Sequence, residues 1–177
     1  MKQRFKMNKL TGILLIGLAL LVFAGCSNSP LKERVQITDG VSVLMPEQFK
    51  KNDMGDGNVL IRSKVGTTDF RVVAVKDTSL DRLSADKLKE GLETHVDEFL
   101  KPMQGKLLNR KDSITGKVVI SDFEFELGND KASKHGKGKF ILKGNKFITL
   151  ILVSPAAEEK SARPLEETFF NSIKMEE

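Results

Sequence analysis

Cys26 is the only cysteine in this 177-residue chain and the side chain with the most distinctive chemistry. Its thiol is a soft nucleophile, and a single cysteine cannot form a disulfide within the chain. Two small residues, Ala24 and Gly25, precede it and end an apolar run that begins at Ile13. We therefore take the segment that ends at Cys26 as the first candidate for chemistry.

Residues 1–25 have the three parts of a secretory signal. The apolar core is shorter than the ~20 residues that a membrane-spanning helix needs. No acidic residue precedes Cys26, and the positively charged start consists of Lys2, Arg4, Lys6 and Lys9. Met7 begins a compact version of the same signal, so Met1 and Met7 are both candidate start sites.

The sequence Phe23-Ala24-Gly25-Cys26 resembles the processing site of bacterial lipoprotein precursors. The resemblance implies that the Cys26 thiol receives a diacylglycerol and that the chain is cleaved between Gly25 and Cys26. Phe23 departs from the family pattern, in which Leu or Val is more common. The alternatives are an ordinary cleaved signal and a short uncleaved anchor. A lipid with two or more acyl chains would hold the protein stably, because each buried methylene contributes ~0.8 kcal/mol.

Asp122, Glu124 and Glu126 are the carboxylates whose spacing could support cation binding or acid–base chemistry. Their period of two places them on one face of a predicted strand, opposite Phe123 and Phe125. The same alternation arises when a strand has one solvated and one buried face, and we favour that interpretation.

His95 and His135 are isolated from other ligand residues, so the sequence predicts no metal site. We place His95 in a helix beside its apolar stripe and His135 in a flexible basic loop. The run from His135 to Lys139 lacks the Gly-Lys-Ser/Thr ending and the following helix of a phosphate-binding loop. No Gly-x-Ser-x-Gly motif occurs either. The sequence therefore predicts a protein that is not an enzyme.

A group of lysines is the remaining candidate site. It could contact an anionic surface, or it could protect a sheet edge from pairing with another chain, and we favour the second interpretation. The group consists of Lys131, Lys134, Lys137, Lys139, Lys143 and Lys146.

The charge of the chain changes once residues 1–25 are set aside. They hold four of the 29 lysines and arginines and none of the 24 acidic residues, which leaves 25 basic against 24 acidic residues and a net charge of +1. Such a balance predicts no nucleic-acid partner. The remaining 152 residues suit one domain that buries roughly 70% of its unfolded surface.

Apolar runs joined by turn residues predict a series of β-hairpins. The predicted turns are Asp39-Gly40, Gly66-Thr67-Thr68 and Gly144-Asn145. Between the first and second groups of strands, Ser84 is predicted to cap a helix that extends to about Lys101. The order of elements predicts an α+β fold in which one antiparallel sheet has helices against its faces.

The other segments complete the predicted organisation. Residues 26–33 are predicted to be a tether, and residues 34–177 a single domain. Segments 47–57 and 128–138 are predicted to be loops. Pro164 is predicted to lie in the first turn of a final helix over residues 165–172.

Two short stretches resemble the DcrB-like lipoproteins, a group with the PsbP/Mog1-like fold. They are Asp39-Gly40-Val41-Ser42-Val43 leading to Met45-Pro46, and Gly144–Leu150 followed by Ser154-Pro155. The resemblance covers roughly residues 34–175 in element order. It implies an α/β/α-type sandwich, no catalytic residues, and a role in binding or assembly.

The resulting functional hypothesis is a non-enzymatic lipoprotein of the cell envelope that binds or stabilises another envelope protein, with an apolar groove between sheet and helix as the contact. Its domain would lie in the periplasm, with lipid on Cys26 and no other cofactor. Ser27, in place of the aspartate typical of inner-membrane retention, favours the outer membrane. The alternative is a protein that binds a small molecule or an anionic lipid headgroup through the Lys131–Lys146 region.

Overall fold

The computed structural model describes residues 29–128 and 133–176. In these ranges the chain forms ten strands and two α-helices. The strands are β1 (Leu31–Thr38), β2 (Val41–Pro46), β3 (Phe49–Gly55), β4 (Asn58–Val65), β5 (Thr68–Lys76), β6 (Lys106–Thr115), β7 (Val118–Leu127), β8 (Lys134–Lys143), β9 (Lys146–Pro155) and β10 (Lys174–Met175). The helices are α1 (Ala85–Leu100) and α2 (Glu159–Asn171). Neither helix is long and apolar enough to cross a membrane.

The strands form two antiparallel sheets. The larger has seven strands in the order β3-β4-β5-β9-β8-β7-β6, and the smaller has three in the order β1-β2-β10. The predicted α+β class is therefore confirmed, but the strands form two sheets and not the single sheet predicted. The apolar side chains of β1 and β2 pack face to face on the large sheet, so these strands form a separate layer and do not extend it. The larger sheet separates two hydrophobic cores.

The first core lies between the large sheet and a layer made of the small sheet and α2. Ile61, Val72 and Leu150 point into this core from the large sheet, and Val43 and Phe169 meet them from the opposite layer. All five side chains are fully buried. The alternation of β4, β5 and β9 requires their remaining side chains to point to the other face of the sheet.

The second core lies between α1 and the other face of the large sheet. Leu88, Leu92, Val96 and Leu100 are buried at a spacing of four and form the apolar stripe of the helix. The Ser84 hydroxyl accepts a hydrogen bond from the Lys87 amide, so the predicted N-cap is confirmed.

Glycines in β8 allow two phenylalanine rings of β7 to lie across the sheet. Phe123 is paired with Gly138, and Phe125 with Gly136. A Cβ at either glycine would overlap the facing ring. Phe99 of α1 contacts both rings edge-on, with centroid separations of 6.0 and 5.9 Å. The glycines are thus packing residues, which explains the Gly-Lys-Gly pattern without a phosphate-binding role.

Two segments predicted to be loops contain strands. The segment over 47–57 contains β3, an exposed edge strand whose polar side chains on both faces leave no alternation to detect. The segment over 128–138 overlaps β8, which begins at Lys134. Its glycines resemble turn residues in sequence, although Phe123 and Phe125 supply the missing side-chain volume.

The boundaries at the two ends of the domain also differ from prediction. The helix α2 begins at Glu159, so Pro164 lies inside it and not in its first turn. The proline leaves one backbone hydrogen bond of the helix unmade, and the buried Ala162 and Glu166 pack the helix against the sheets on either side of it. At the other end, Leu31 of the predicted tether is buried in β1. The strand β10 was not predicted.

Replacing Gly138 with alanine is expected to destabilise the domain by about 1–3 kcal/mol, because the new methyl group must displace the Phe123 ring from a packed core. Chemical denaturation would measure the change. Gly91→Ala is the matched control: no side chain lies within 4 Å of its Cβ position in α1. The control should gain about 0.5–1 kcal/mol from helix propensity. Equal stability of Gly138→Ala and wild type would contradict the packing role.

Candidate functional site

The exposed side of α2 is the candidate site. The helix buries Ala162, Glu166, Phe169 and Phe170 against the sheets. Four residues at a spacing of four form a continuous outer row, which we call the α2 ridge: Glu159, Arg163, Glu167 and Asn171. Depressions lie on both sides of this ridge, so that the helix stands out from its surroundings.

A groove of about 530 Å³ lies between the α2 ridge and the small sheet. Its lining residues are Arg34, Leu44, Pro164, Glu167, Thr168, Asn171 and Ser172. The Ser172 hydroxyl accepts a hydrogen bond from the Leu44 amide at 2.9 Å and donates one to the Phe169 carbonyl at 2.7 Å. The Arg34 guanidinium donates to the Ser172 carbonyl at 3.0 Å. These bonds fix the end of α2 to β1 and β2. The groove lies between sheet and helix as predicted, but it is not the apolar groove that was expected, because five of its seven lining residues are polar or charged.

A charged cleft of about 200 Å³ lies on the other side of the ridge, against β7 and β8. Its lining residues are Glu124, His135, Lys137, Glu159, Arg163, Glu166 and Glu167. It adjoins a second depression of about 330 Å³ that shares Glu124, Lys137 and Glu167. Glu167 therefore borders the groove on one side and both depressions on the other.

The pair Glu166–Lys137 holds α2 against the large sheet. Glu166 is 6% exposed, and its carboxylate lies 3.1 Å from the Lys137 ammonium, which also lies 3.6 Å from Glu124. Burial alone would lower the pKa of Lys137, but the hydrogen bond and charge of Glu166, together with Glu124, outweigh it and raise the pKa. The ammonium thus stays charged until the pH exceeds its ordinary range, and the buried carboxylate keeps its partner at neutral pH.

The three predicted carboxylates lie on one face of β7, as expected, but they do not converge. Asp122 pairs with Lys139 at 2.7 Å, and Glu124 pairs with Lys137. Glu126 is exposed opposite His135. In the described part of the chain, no three histidine, cysteine, aspartate or glutamate side chains are grouped so that they could hold a metal ion.

The structure does not bring the predicted lysines together. Lys131 lies outside the described residues. Lys137 and Lys139 face α2, whereas Lys134 points to the opposite face of the sheet. Lys143 donates to the Glu176 carbonyl, and Lys146 donates to the Asp39 carbonyl at 3.2 Å. Four of the six lysines thus have acceptors within the domain.

The histidines have different environments. His95 lies beside the apolar stripe as predicted, with ring centroids 4.7 Å from Phe147 and 5.3 Å from Phe140. The placement of His135 in a flexible loop is wrong, because this residue is 8% exposed on β8 and lines the charged cleft. The sequence does contain a signal for this strand, which is the alternation of glycines and apolar residues with His135, Lys137, Lys139 and Ile141. Gly25 and Cys26 lie outside the described residues.

A second polar cluster, which is partly buried, lies under α1. Arg110 donates to Asp112 at 2.8 and 3.0 Å and to Ser121 at 3.2 Å, and its guanidinium lies 3.6 Å from Glu93 of the helix. Burial raises the pKa of Asp112, but the Arg110 hydrogen bonds outweigh it and lower the pKa. The cluster joins α1 to β6 and β7. It lies on the face of the large sheet opposite the α2 ridge.

Replacing Lys137 with methionine is expected to destabilise the domain by about 3 kcal/mol, because Glu166 would be left buried without a partner. The free energy of unfolding in urea would measure this loss. Adding Glu166→Leu should recover most of it, since an apolar pair replaces the ion pair. Lys139→Met is the matched control on the same strand face. Its partner Asp122 is 36% exposed and can be hydrated, so the loss should stay below about 1 kcal/mol. Equal losses for the two lysines would contradict the anchoring role of Glu166.

Comparisons with known proteins concern the fold. No family model and no curated protein sequence gives a significant match to this chain. Cyanobacterial PsbP (CyanoP) from Synechocystis sp. PCC 6803 is similar in structure, with a TM-score of 0.56 and 18% identity over 86% of this chain and 96% of CyanoP. The Saccharomyces cerevisiae Ran-binding protein Mog1p has a TM-score of 0.52 and 11% identity over 82% of this chain and 96% of Mog1p. The chain therefore has a PsbP/Mog1-like fold.

Proposed function

We propose that this chain is a lipid-anchored envelope protein of the DcrB-like type, which binds another envelope protein and catalyses no reaction. Lipid on Cys26 would hold the domain at a membrane surface in the periplasm. The motif Phe23-Ala24-Gly25-Cys26 supports the anchor, and the short stretches at 39–46 and 144–155 support the DcrB-like assignment.

The α2 ridge is the observation that carries the binding proposal. It offers an exposed helix of 13 residues with a groove on one side and a charged cleft on the other. Buried bonds at Glu166 and Ser172 fix its position, so a partner would meet a preorganised surface. Mog1p, which has the same fold, is a Ran-binding protein. From this likeness we propose for the present chain only that it binds a protein.

The geometry favours protein binding over headgroup binding through the Lys131–Lys146 region. Lys137, Lys139, Lys143 and Lys146 each contact an oxygen acceptor in the domain. An anionic ligand would have to compete with these contacts at sites that face different directions.

Wild-type protein produced with a labelled fatty acid is expected to carry the label, and Cys26→Ser is expected to lose it, because the thiol is the proposed acceptor. Membrane fractionation of the labelled protein would also test the preference for the outer membrane that Ser27 indicates. Absence of label on the wild type would remove the lipoprotein assignment.

The α2 ridge is expected to be required for recovery of a partner. Cross-linking in membranes, followed by purification, should recover a specific protein with the wild type and much less with Glu167→Lys and Asn171→Arg combined, since these changes reverse or add charge at the contact. Glu90→Lys with Thr94→Arg is the matched control, because both residues are exposed at the same spacing on α1. Equal recovery with both double variants would exclude the α2 ridge as the contact.

A further inference from the structure

Three cations lie directly opposite one another across the outer face of β3, β4 and β5. Lys50 is paired with Arg62, and Arg62 with Arg71. Their neighbours Ile61 and Val72 point into the first core, so all three cations point to the other face of the sheet, where each is exposed. No ion pair within 4 Å joins any of them to a carboxylate in the described residues, whose ion pairs lie elsewhere.

This arrangement works against stability. Side chains directly opposite in adjacent strands have Cβ atoms about 4.5–5.5 Å apart, and like charges at that separation repel. Lys64 adds a fourth cation to the same face. Asp69, which is paired in register with Lys64, is the one acidic residue at the outward positions of these three strands. These three strands therefore carry an excess of positive charge on this face, and in residues 29–128 and 133–176 no carboxylate forms an ion pair with these cations.

Protection of a sheet edge does not explain the row. Lysine on an edge strand discourages pairing with another chain, and this accounts for Lys50 on β3. Arg62 and Arg71 lie on β4 and β5, which are interior strands with neighbours on both sides. Their side chains cannot protect an edge, so the row needs another explanation.

The basic row borders a pocket with an apolar floor. A depression of about 140 Å³ lies between the end of α1 and the sheet, and its charged lining residues are two cations, Arg71 and Lys134, and one carboxylate, Asp69. Its apolar lining includes Phe99, Met103 and Ile151, and Met103 is 36% exposed. Cations around exposed apolar side chains are typical of surfaces that contact the headgroup region of a bilayer.

The anchored end of the chain enters at the same end of the sheet. Leu31 at the start of β1 is paired with Pro46, three residues before β3 begins at Phe49. Phe49 is in turn paired with Ser63, next to Arg62. Cys26 is only five residues before Leu31, which an extended chain spans in at most ~18 Å. A lipid on Cys26 would therefore keep this end of the domain close to the bilayer.

We propose that the surface formed by Lys50, Arg62, Lys64, Arg71 and Lys134 docks on an anionic lipid bilayer. Its nearness to the bilayer rests on the proposed Cys26 anchor, whereas its charge and exposure do not. The surface lies on the face of the large sheet opposite α2, so docking leaves the α2 ridge open to a partner.

The purified protein in nanodiscs tests the proposal. An environment-sensitive fluorophore is attached at Gln48→Cys, beside the basic row, or at Lys117→Cys, at the opposite end of the sheet. We expect the emission at position 48 to shift to the blue in 70:30 phosphatidylcholine:phosphatidylglycerol relative to phosphatidylcholine alone. High salt should abolish the shift, and position 117 should show none.

Variants then assign the shift to the row. Combining Lys50→Gln, Arg62→Gln and Arg71→Gln should abolish it. Lys87→Gln, Lys111→Gln and Lys160→Gln together remove the same charge from exposed sites elsewhere and should preserve it. No lipid-dependent shift at position 48, or equal loss in both triple variants, would overturn the proposal. The first of these results would leave an acidic protein surface as the partner of these cations.

Intact mass separates this proposal from the anchor. If the purified protein carries no lipid on Cys26, the anchor has failed, and the same two triple variants are compared by flotation with vesicles of both compositions. The docking surface would still be supported if flotation requires phosphatidylglycerol and if the Lys50, Arg62 and Arg71 changes lower the partition coefficient of the protein into these vesicles by roughly a hundredfold. Flotation without dependence on the anionic lipid would overturn it.

Discussion

The packing of Phe123 and Phe125 across Gly138 and Gly136 is the constraint on which the rest of the large sheet depends. A shift of one residue between β7 and β8 would move every side chain of β8 to the other face and would place the two rings opposite Lys139 and Lys137, or opposite Lys137 and His135. The ring–glycine pairs allow one register, and Phe99 holds the rings from above. In that register Lys137 and Lys139 face α2, while Phe140 faces α1. The position of the candidate site thus follows from a core contact on the opposite face of the sheet.

The two layers on the large sheet are joined to it by different interactions. The helix α1 uses a regular apolar stripe supplemented by the Arg110 cluster. The helix α2 is less apolar and includes a proline, and its buried face contains Glu166 between Ala162 and Phe169. A buried carboxylate costs free energy unless it is paired, so α2 must pack where Glu166 reaches Lys137. This requirement gives α2 one position relative to β8 and keeps the outer row of charged residues together on one side.

Much of the fold could be predicted, but the candidate site could not. The hairpins and α1 could be predicted because each depends on residues that are neighbours in sequence. Their signals are the apolar runs, the Asp39-Gly40 and Gly144-Asn145 turns and the Ser84 cap. The strand β3 has no such pattern, since an exposed edge strand needs no apolar face. The role of Gly138 depends on Phe123 in another strand, and Glu166 depends on Lys137, 29 positions away. The basic row was missed for the same reason, because its three cations meet only after β3, β4 and β5 have paired.

The large sheet separates two surfaces with different electrostatic character. On the α2 face, charges of both signs lie close together, so this surface has no strong net field and favours a partner with matching individual groups. On the outer face of β3–β5, cations outnumber the single carboxylate of Asp69, which favours an extended anionic surface through long-range attraction. Screening by salt weakens the second interaction much more than the first, since exposed charges lose their attraction beyond a Debye length of about 8 Å at physiological ionic strength. If lipid on Cys26 tethers the domain at one end as proposed, the basic face would set its orientation and the α2 face would contact its partner.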